Sequence, residues 1–154
     1  MMHNEYWKKQ SQCRLNLSKE VNMATVKLLN YEDASPEARQ VLDEIKAVRG
    51  VDDVNNFWKA LAHQPETLRR VWAGLKDVMA DGEIDSLTKE MIYVAVSVTN
   101  NCDYCIHSHT ASAFSKGMTE GQYSELMAVV AMAHQTNALA TGLKVPVDKA
   151  FDVE

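Results

Sequence analysis

The 154-residue chain has only three prolines and six glycines, few punctuation points for a chain of this length. It has no apolar run long enough for a bilayer: stretches such as "MIYVAVSV" and "LMAVVAMA" stop at eight residues, against the roughly 20 that a spanning helix needs. A membrane partner is therefore not expected. There is no dense Lys/Arg stripe, and the net charge is −5, so the electrostatic footprint of a nucleic-acid binder is missing. The first 22 residues are polar and aperiodic, without the apolar centre of a secretory signal. The expected location is cytoplasmic, where thiols are kept reduced and a close cysteine pair is more often catalytic or metal-binding than structural.

What is present fits an ordinary globular chain. With 46% hydrophobic and 24% charged residues and no low-complexity tract, one compact domain with a core of its own is the default. "MATVKLLN", opening at Met23, reads like a natural beginning, so residues 1–22 are assigned to an N-terminal extension and 23–154 to the folded domain. Cys13, in the extension, reads as an incidental thiol.

The signals from Ser35 onward are helical. "SPEARQVLDEIKAVRG" puts a capping Ser before a Pro, repeats apolar residues at Val41, Leu42, Ile45 and Val48, and ends in Gly50. "VNNFWKALAH" and "PETLRRVWAGLKDVMADG" predict two more helices. "SLTKEMIYVAVSVTNN" has the β-branched residues of a strand, but Leu87, Met91, Val94, Ala95 and Val98 fall on one face of a 3.6-residue period, which predicts a helix. "CDYCIHSHTASAFSKG" follows, and then "TEGQYSELMAVVAMAHQTNALATGL", where Thr119 and Gln122 have capping-box spacing. No strand remains, and the expected fold is an all-α bundle of about six or seven helices.

Two of the three cysteines lie in "NNCDYCIHSH". On a helix Cys102, Cys105 and His109 stand at i, i+3 and i+7 and share one side, while His107 points elsewhere. Residues three apart have Cα atoms roughly 5 Å apart, within disulfide range. The ring so closed is too short to add much stability, so its use would be redox. Cys102 at the helix start gains from the dipole, and Cys105 has an imidazole one turn on. These two effects favour different cysteines as the nucleophile. On the preceding helix Glu90 lies at the shoulder of the apolar stripe, beside Val94 and Ser97, and would reach the sulfurs if the "TNN" turn folds the two helices together.

Other uses of the motif fit less well. Covalent haem needs His directly after the second cysteine, where Ile106 stands. Structural zinc needs a second ligand cluster, and a thioredoxin-type site needs an α/β pattern. His63, His107 and His134 read as surface or core residues. Phe57, Trp58 and Trp72 read as core more readily than as a pocket wall.

The spacing Glu90-x11-Cys102-x2-Cys105-x3-His109 resembles the signature of the alkylhydroperoxidase D and carboxymuconolactone decarboxylase family. The likeness extends through "ASPEARQVLDEI", the block from Gly82 to Thr119, and "NALATGLKVPVD". The resemblance implies a helical fold, assembly into homotrimers or hexamers, and a peroxidase that reduces alkyl hydroperoxides with no bound cofactor. Glu90 and His109 would draw the proton from Cys105 through a water, and the resulting thiolate would attack the peroxide. Cys102 would then close the disulfide, and an external dithiol reductant, a lipoyl-protein in some relatives, would reopen it. Some members carry a relay histidine between the cysteines; here Asp103 and Tyr104 stand there. The alternatives are acid–base chemistry on a lactone, as in the decarboxylase branch, and a non-catalytic redox sensor.

Overall fold

A computed structural model describes residues 24–151; the proposed extension, with Cys13, lies outside the described residues. Among these there are six α-helices and no strand: α1 (Pro36–Arg49), α2 (Asn56–Leu61), α3 (Pro65–Val78), α4 (Ser86–Thr99), α5 (Asp103–Ser115) and α6 (Glu120–Gly142), with short 3₁₀ turns at Tyr31–Asp33 and Lys149–Phe151. The all-α expectation holds, including for α4, whose β-branched residues sit in a helix because their spacing matches its period. The chain divides into two compact units, one ending at Gly74 and the other beginning at Leu75.

In the first unit the ends of α1 are set by local chemistry. The Ser35 hydroxyl accepts from the Ala38 N–H, Pro36 occupies the first turn, and Gly50 closes the helix at φ +64°, a left-handed conformation that costs glycine little. Ala38, Val41, Leu42 and Ile45 are buried along its inner face. Val48, expected on that face, is exposed: it lies in the last turn, beyond the deeply covered stretch. Trp58 and Trp72 are core residues that meet edge to face with centroids 5.6 Å apart, and the Arg49 guanidinium lies over both rings. Phe57 is exposed instead.

The second unit is built on α4. The Asp85 carboxylate caps it by accepting from the Thr88 N–H, α5 and α6 both pack along it, and Thr99 Oγ1 meets His134 Nε2 of α6 at 3.1 Å. A tight turn through Asn100 and Asn101, the latter at φ +53°, reverses the chain between α4 and α5. The Cys102 N–H donates back to the Ser97 carbonyl at 3.0 Å, which fixes where α5 starts. Gly117, at φ +95°, ends α5 as its position predicted, and the Thr119–Gln122 capping box is present on α6 with both of its bonds. The expected helix "PETLRRVWAGLKDVMADG" stops at Val78, four residues short of Gly82. Lys89 Nζ donates to the helix's last carbonyl, Val78 O, at 2.9 Å and also to Ala80 O just beyond the helix.

Candidate active site

The most buried line of α4 is not its most apolar one. Glu90, Val94 and Ser97 are its buried residues, so the shoulder of the stripe is what faces α5, while Ile92 and Val96 are exposed on the protein surface. Glu90 retains only 5% of its accessible surface. A carboxylate so placed must be fully hydrogen-bonded to persist, and α5 supplies the donors. His109 Nδ1 lies 2.7 Å from Glu90 Oε2. Ser112 Oγ and Lys116 Nζ each donate to Oε1, also at 2.7 Å. Burial by itself would raise the Glu90 pKa, but the bonds from His109, Lys116 and Ser112 outweigh it and bring the group from 4.5 to about 2.

The proton placement on His109 follows from this. A carboxylate ionised down to about pH 2 can only accept, so Nδ1 carries a proton, and the tautomer this bond selects is the one with its lone pair on Nε2. Tyr93 stacks on the imidazole at 3.6 Å between centroids and 17° between planes, which fixes the ring's plane. His109 is thus an imidazole oriented by a carboxylate, an arrangement also found where hydroxyl and thiol nucleophiles are activated.

Cys102 and Cys105 are joined as a disulfide with Cα atoms 5.3 Å apart, as their spacing predicted. Cys102 is the N-cap of α5, and its sulfur accepts from the Cys105 N–H at 3.3 Å. Negative charge on a Cys102 sulfur is therefore favoured both by the helix N-terminus and by a direct donor. Both cysteines, with Tyr93 and Ser97, line a cavity of about 720 Å³ whose other walls include Val78, Met79, Ile84 and Ile92. The two cysteines thus border a largely apolar space, and His109, held by Glu90, follows Cys105 by four positions along α5, one helical turn.

Of the residues singled out from sequence, Glu90 meets His109 and Cys102 meets Cys105, and all four lie in this unit. His107 is exposed, His63 is engaged with the Lys27 carbonyl, and His134 with Thr99. The sequence reading missed Tyr93, Ser112 and Lys116. Two of these were accessible to it, because Ser112 and Lys116 continue the 102, 105, 109 progression along the same face of α5. Among the described residues no three His, Cys, Asp or Glu side chains converge on a metal position, and no helix is long and apolar enough to cross a membrane.

The depressed Glu90 pKa ties stability to pH with a definite sign. The folded state holds the carboxylate ionised more tightly than the unfolded chain does, so its contribution is fully present above about 4.5 and is lost as pH falls toward 2. The two values correspond to about 3 kcal/mol. Urea unfolding between pH 6 and pH 2.5 is expected to show this loss in the parent chain and not in Glu90→Gln. Parallel curves for the two proteins would contradict it.

The fold and site define an all-helical protein with a bonded cysteine pair at a helix start and, on the same helix, an imidazole paired with a buried carboxylate. The carboxymuconolactone decarboxylase family model matches residues 65–148, and the chain belongs to that family. The crystal structure of the alkylhydroperoxidase AhpD core from Rhodospirillum rubrum superposes with a TM-score of 0.81 at 51% identity, covering 86% of this chain and 99% of that one. The uncharacterized protein 4 in the cox locus of Paracoccus denitrificans is 39% identical over 72 residues, 42% of this chain. The chain spans 65% of that protein's length, just under two thirds. The alkyl hydroperoxide reductase AhpD of Maricaulis maris is 26% identical over 122 residues, 77% of this chain and 69% of that protein.

Proposed function

We propose that the protein is a thiol-dependent peroxidase that reduces organic hydroperoxides through a Cys102/Cys105 dithiol–disulfide cycle. The observation that supports this reading is the hydrogen bond that holds His109 Nδ1 2.7 Å from the buried Glu90 carboxylate, on the same helix that starts at the Cys102–Cys105 disulfide. In the reduced protein, His109 Nε2 takes the proton of the Cys105 thiol, one helical turn back. The thiolate attacks the terminal peroxide oxygen, the O–O bond breaks, and the departing alkoxide takes up a proton and leaves as alcohol. The Cys105 sulfenic acid then condenses with the Cys102 thiol, releasing water and closing the disulfide. An external dithiol, such as a lipoyl group, returns the pair to thiols by exchange. The apolar cavity that the two cysteines border suits the organic part of an alkyl hydroperoxide.

The alternatives are lactone acid–base chemistry of the decarboxylase kind, which needs no cysteine pair, and a redox sensor, which needs no recycling. Turnover of cumene hydroperoxide with dihydrolipoamide, followed through lipoamide dehydrogenase and NADH, tests the proposal. Sustained turnover supports it. Oxidation of the thiols that stops after one equivalent of peroxide would replace it with the sensor.

The working form is proposed to be a homo-oligomer, a trimer or hexamer. From residue 131 to the end of α6 every side chain is exposed, although Met132 and Leu139 are among them, and Leu143, Val145 and Val147 continue the apolar surface beyond it. A helix apolar on all sides is stable in water only when covered. Light scattering at micromolar concentration is expected to give a multiple of the 17.3 kDa chain mass, reduced by the double variant Met132→Lys with Leu139→Lys. A parent chain that scatters as a monomer would refute it.

A further inference from the structure

Lys116 stands just past the end of α5, a position where a lysine ordinarily points to water and interacts with the last carbonyls. Here it turns inward. Its side chain keeps 30% of its exposure, and Nζ lies 2.7 Å from Glu90 Oε1. The carboxylate is thereby divided: Oε2 serves His109, and Oε1 takes the ammonium together with the Ser112 hydroxyl.

The division matters for what His109 can do. A buried carboxylate with no other counter-charge stabilises an imidazolium beside it, and an imidazolium has no lone pair to receive a proton. An ammonium on the opposite oxygen offsets that field while leaving the Nδ1–H···Oε2 bond in place. We propose that Lys116 is a positioning residue that neutralises Glu90, so that Glu90 orients His109 without driving it into its protonated form.

Among the described residues, the other groups around the pair leave this charge to Lys116. From α4 come Glu90 itself and Tyr93, stacked on the ring; Lys89 of the same helix is directed to the Val78 and Ala80 carbonyls. From α5 come Cys105, bonded to Cys102, and the neutral Ser112. On α6, Tyr123 lies against Phe114 and His134 against Thr99. The use of a neutral His109 rests on the peroxidase reading, but the electrostatic relation between Lys116 and His109 does not, and it is measurable without any turnover.

The test is an NMR titration of the His109 ring in the full chain, in the disulfide form, where neither cysteine of the pair can titrate and confuse the result. Lys116→Gln and Lys116→Met are expected to raise the His109 midpoint relative to the parent by about one pH unit, a tenfold change in proton affinity. Lys116→Arg keeps the charge and should stay within a few tenths of the parent. Ser112→Ala, which loses a hydrogen bond to the same oxygen but no charge, should do the same. An unchanged or lowered midpoint in Lys116→Gln overturns the proposal, even if its melting temperature falls, because that pair of results describes a residue that only closes the helix. If Lys116→Met does not fold, Lys116→Gln, which keeps an N–H donor, decides. A parent chain without peroxidase activity would remove the peroxidase reading and leave the midpoint shifts standing or falling by themselves.

Discussion

Replacing Cys105 by serine is expected to abolish hydroperoxide turnover, a fall on the order of 10³-fold or more, since the group that bonds to the peroxide oxygen is gone. Cys102→Ser is expected to lose steady turnover equally but to keep the first step. It should consume one equivalent of peroxide and leave a sulfenic acid that a cyclic 1,3-diketone traps on Cys105. The difference follows from the two environments. Cys105 is one helical turn from His109, the proposed acceptor of its proton. Cys102 has the helix N-terminus and the Cys105 N–H at its sulfur, which suit a thiolate that is released when the external dithiol attacks the disulfide. Mass spectrometry of the trapped adducts decides the assignment. A diketone adduct on Cys102 in the Cys105→Ser protein would reverse the two roles, and turnover surviving in either variant would dismiss the dithiol cycle.

Glu90→Gln is expected to be nearly as damaging, although it changes one atom. An amide presents one acceptor and one donor where the protein places donors on both sides. If its NH₂ group faces His109, Nδ1 must become the acceptor, the ring proton moves to Nε2, and the base is in the wrong tautomer. If it faces the other way, it meets the Lys116 ammonium. Loss of a correctly oriented base is worth roughly 10²- to 10⁴-fold in rate. The unpaired groups should cost about 2 to 4 kcal/mol of stability, within the range for breaking buried, charge-assisted contacts. Steady-state kinetics and urea unfolding of the same preparation read both effects. Activity within threefold of the parent would mean that the carboxylate does not orient the base. The two losses are separable through Glu90→Asp, which keeps the charge but draws it back by one methylene. It should recover part of the stability and little of the rate, because the Nδ1 bond depends on reach.

The caps at Ser35, Gly50 and Thr119 were legible from sequence because they depend on residues three or four positions apart, the range over which a helix end satisfies its own backbone. The alignment of Cys102, Cys105 and His109 was legible for the same reason: a 3.6-residue period is a property of one helix and needs no neighbour. The same period carries that face on to Ser112 and Lys116, but nothing local to α5 says that a carboxylate waits opposite them.

That was settled in three dimensions. Glu90 is separated from His109, Ser112 and Lys116 by 19, 22 and 26 positions, and only the turn through Asn100 and Asn101 determines that α4 presents Glu90, rather than the more apolar side of its stripe, to α5. The division of the carboxylate between its two oxygens, the stacking of Tyr93 on the imidazole and the place of both cysteines at the border of an apolar cavity all depend on that one packing choice. Sequence periodicity determined which residues share a helix face. Packing between helices decided which faces meet, because burying a charged group is tolerable only where the opposite helix brings every donor it needs.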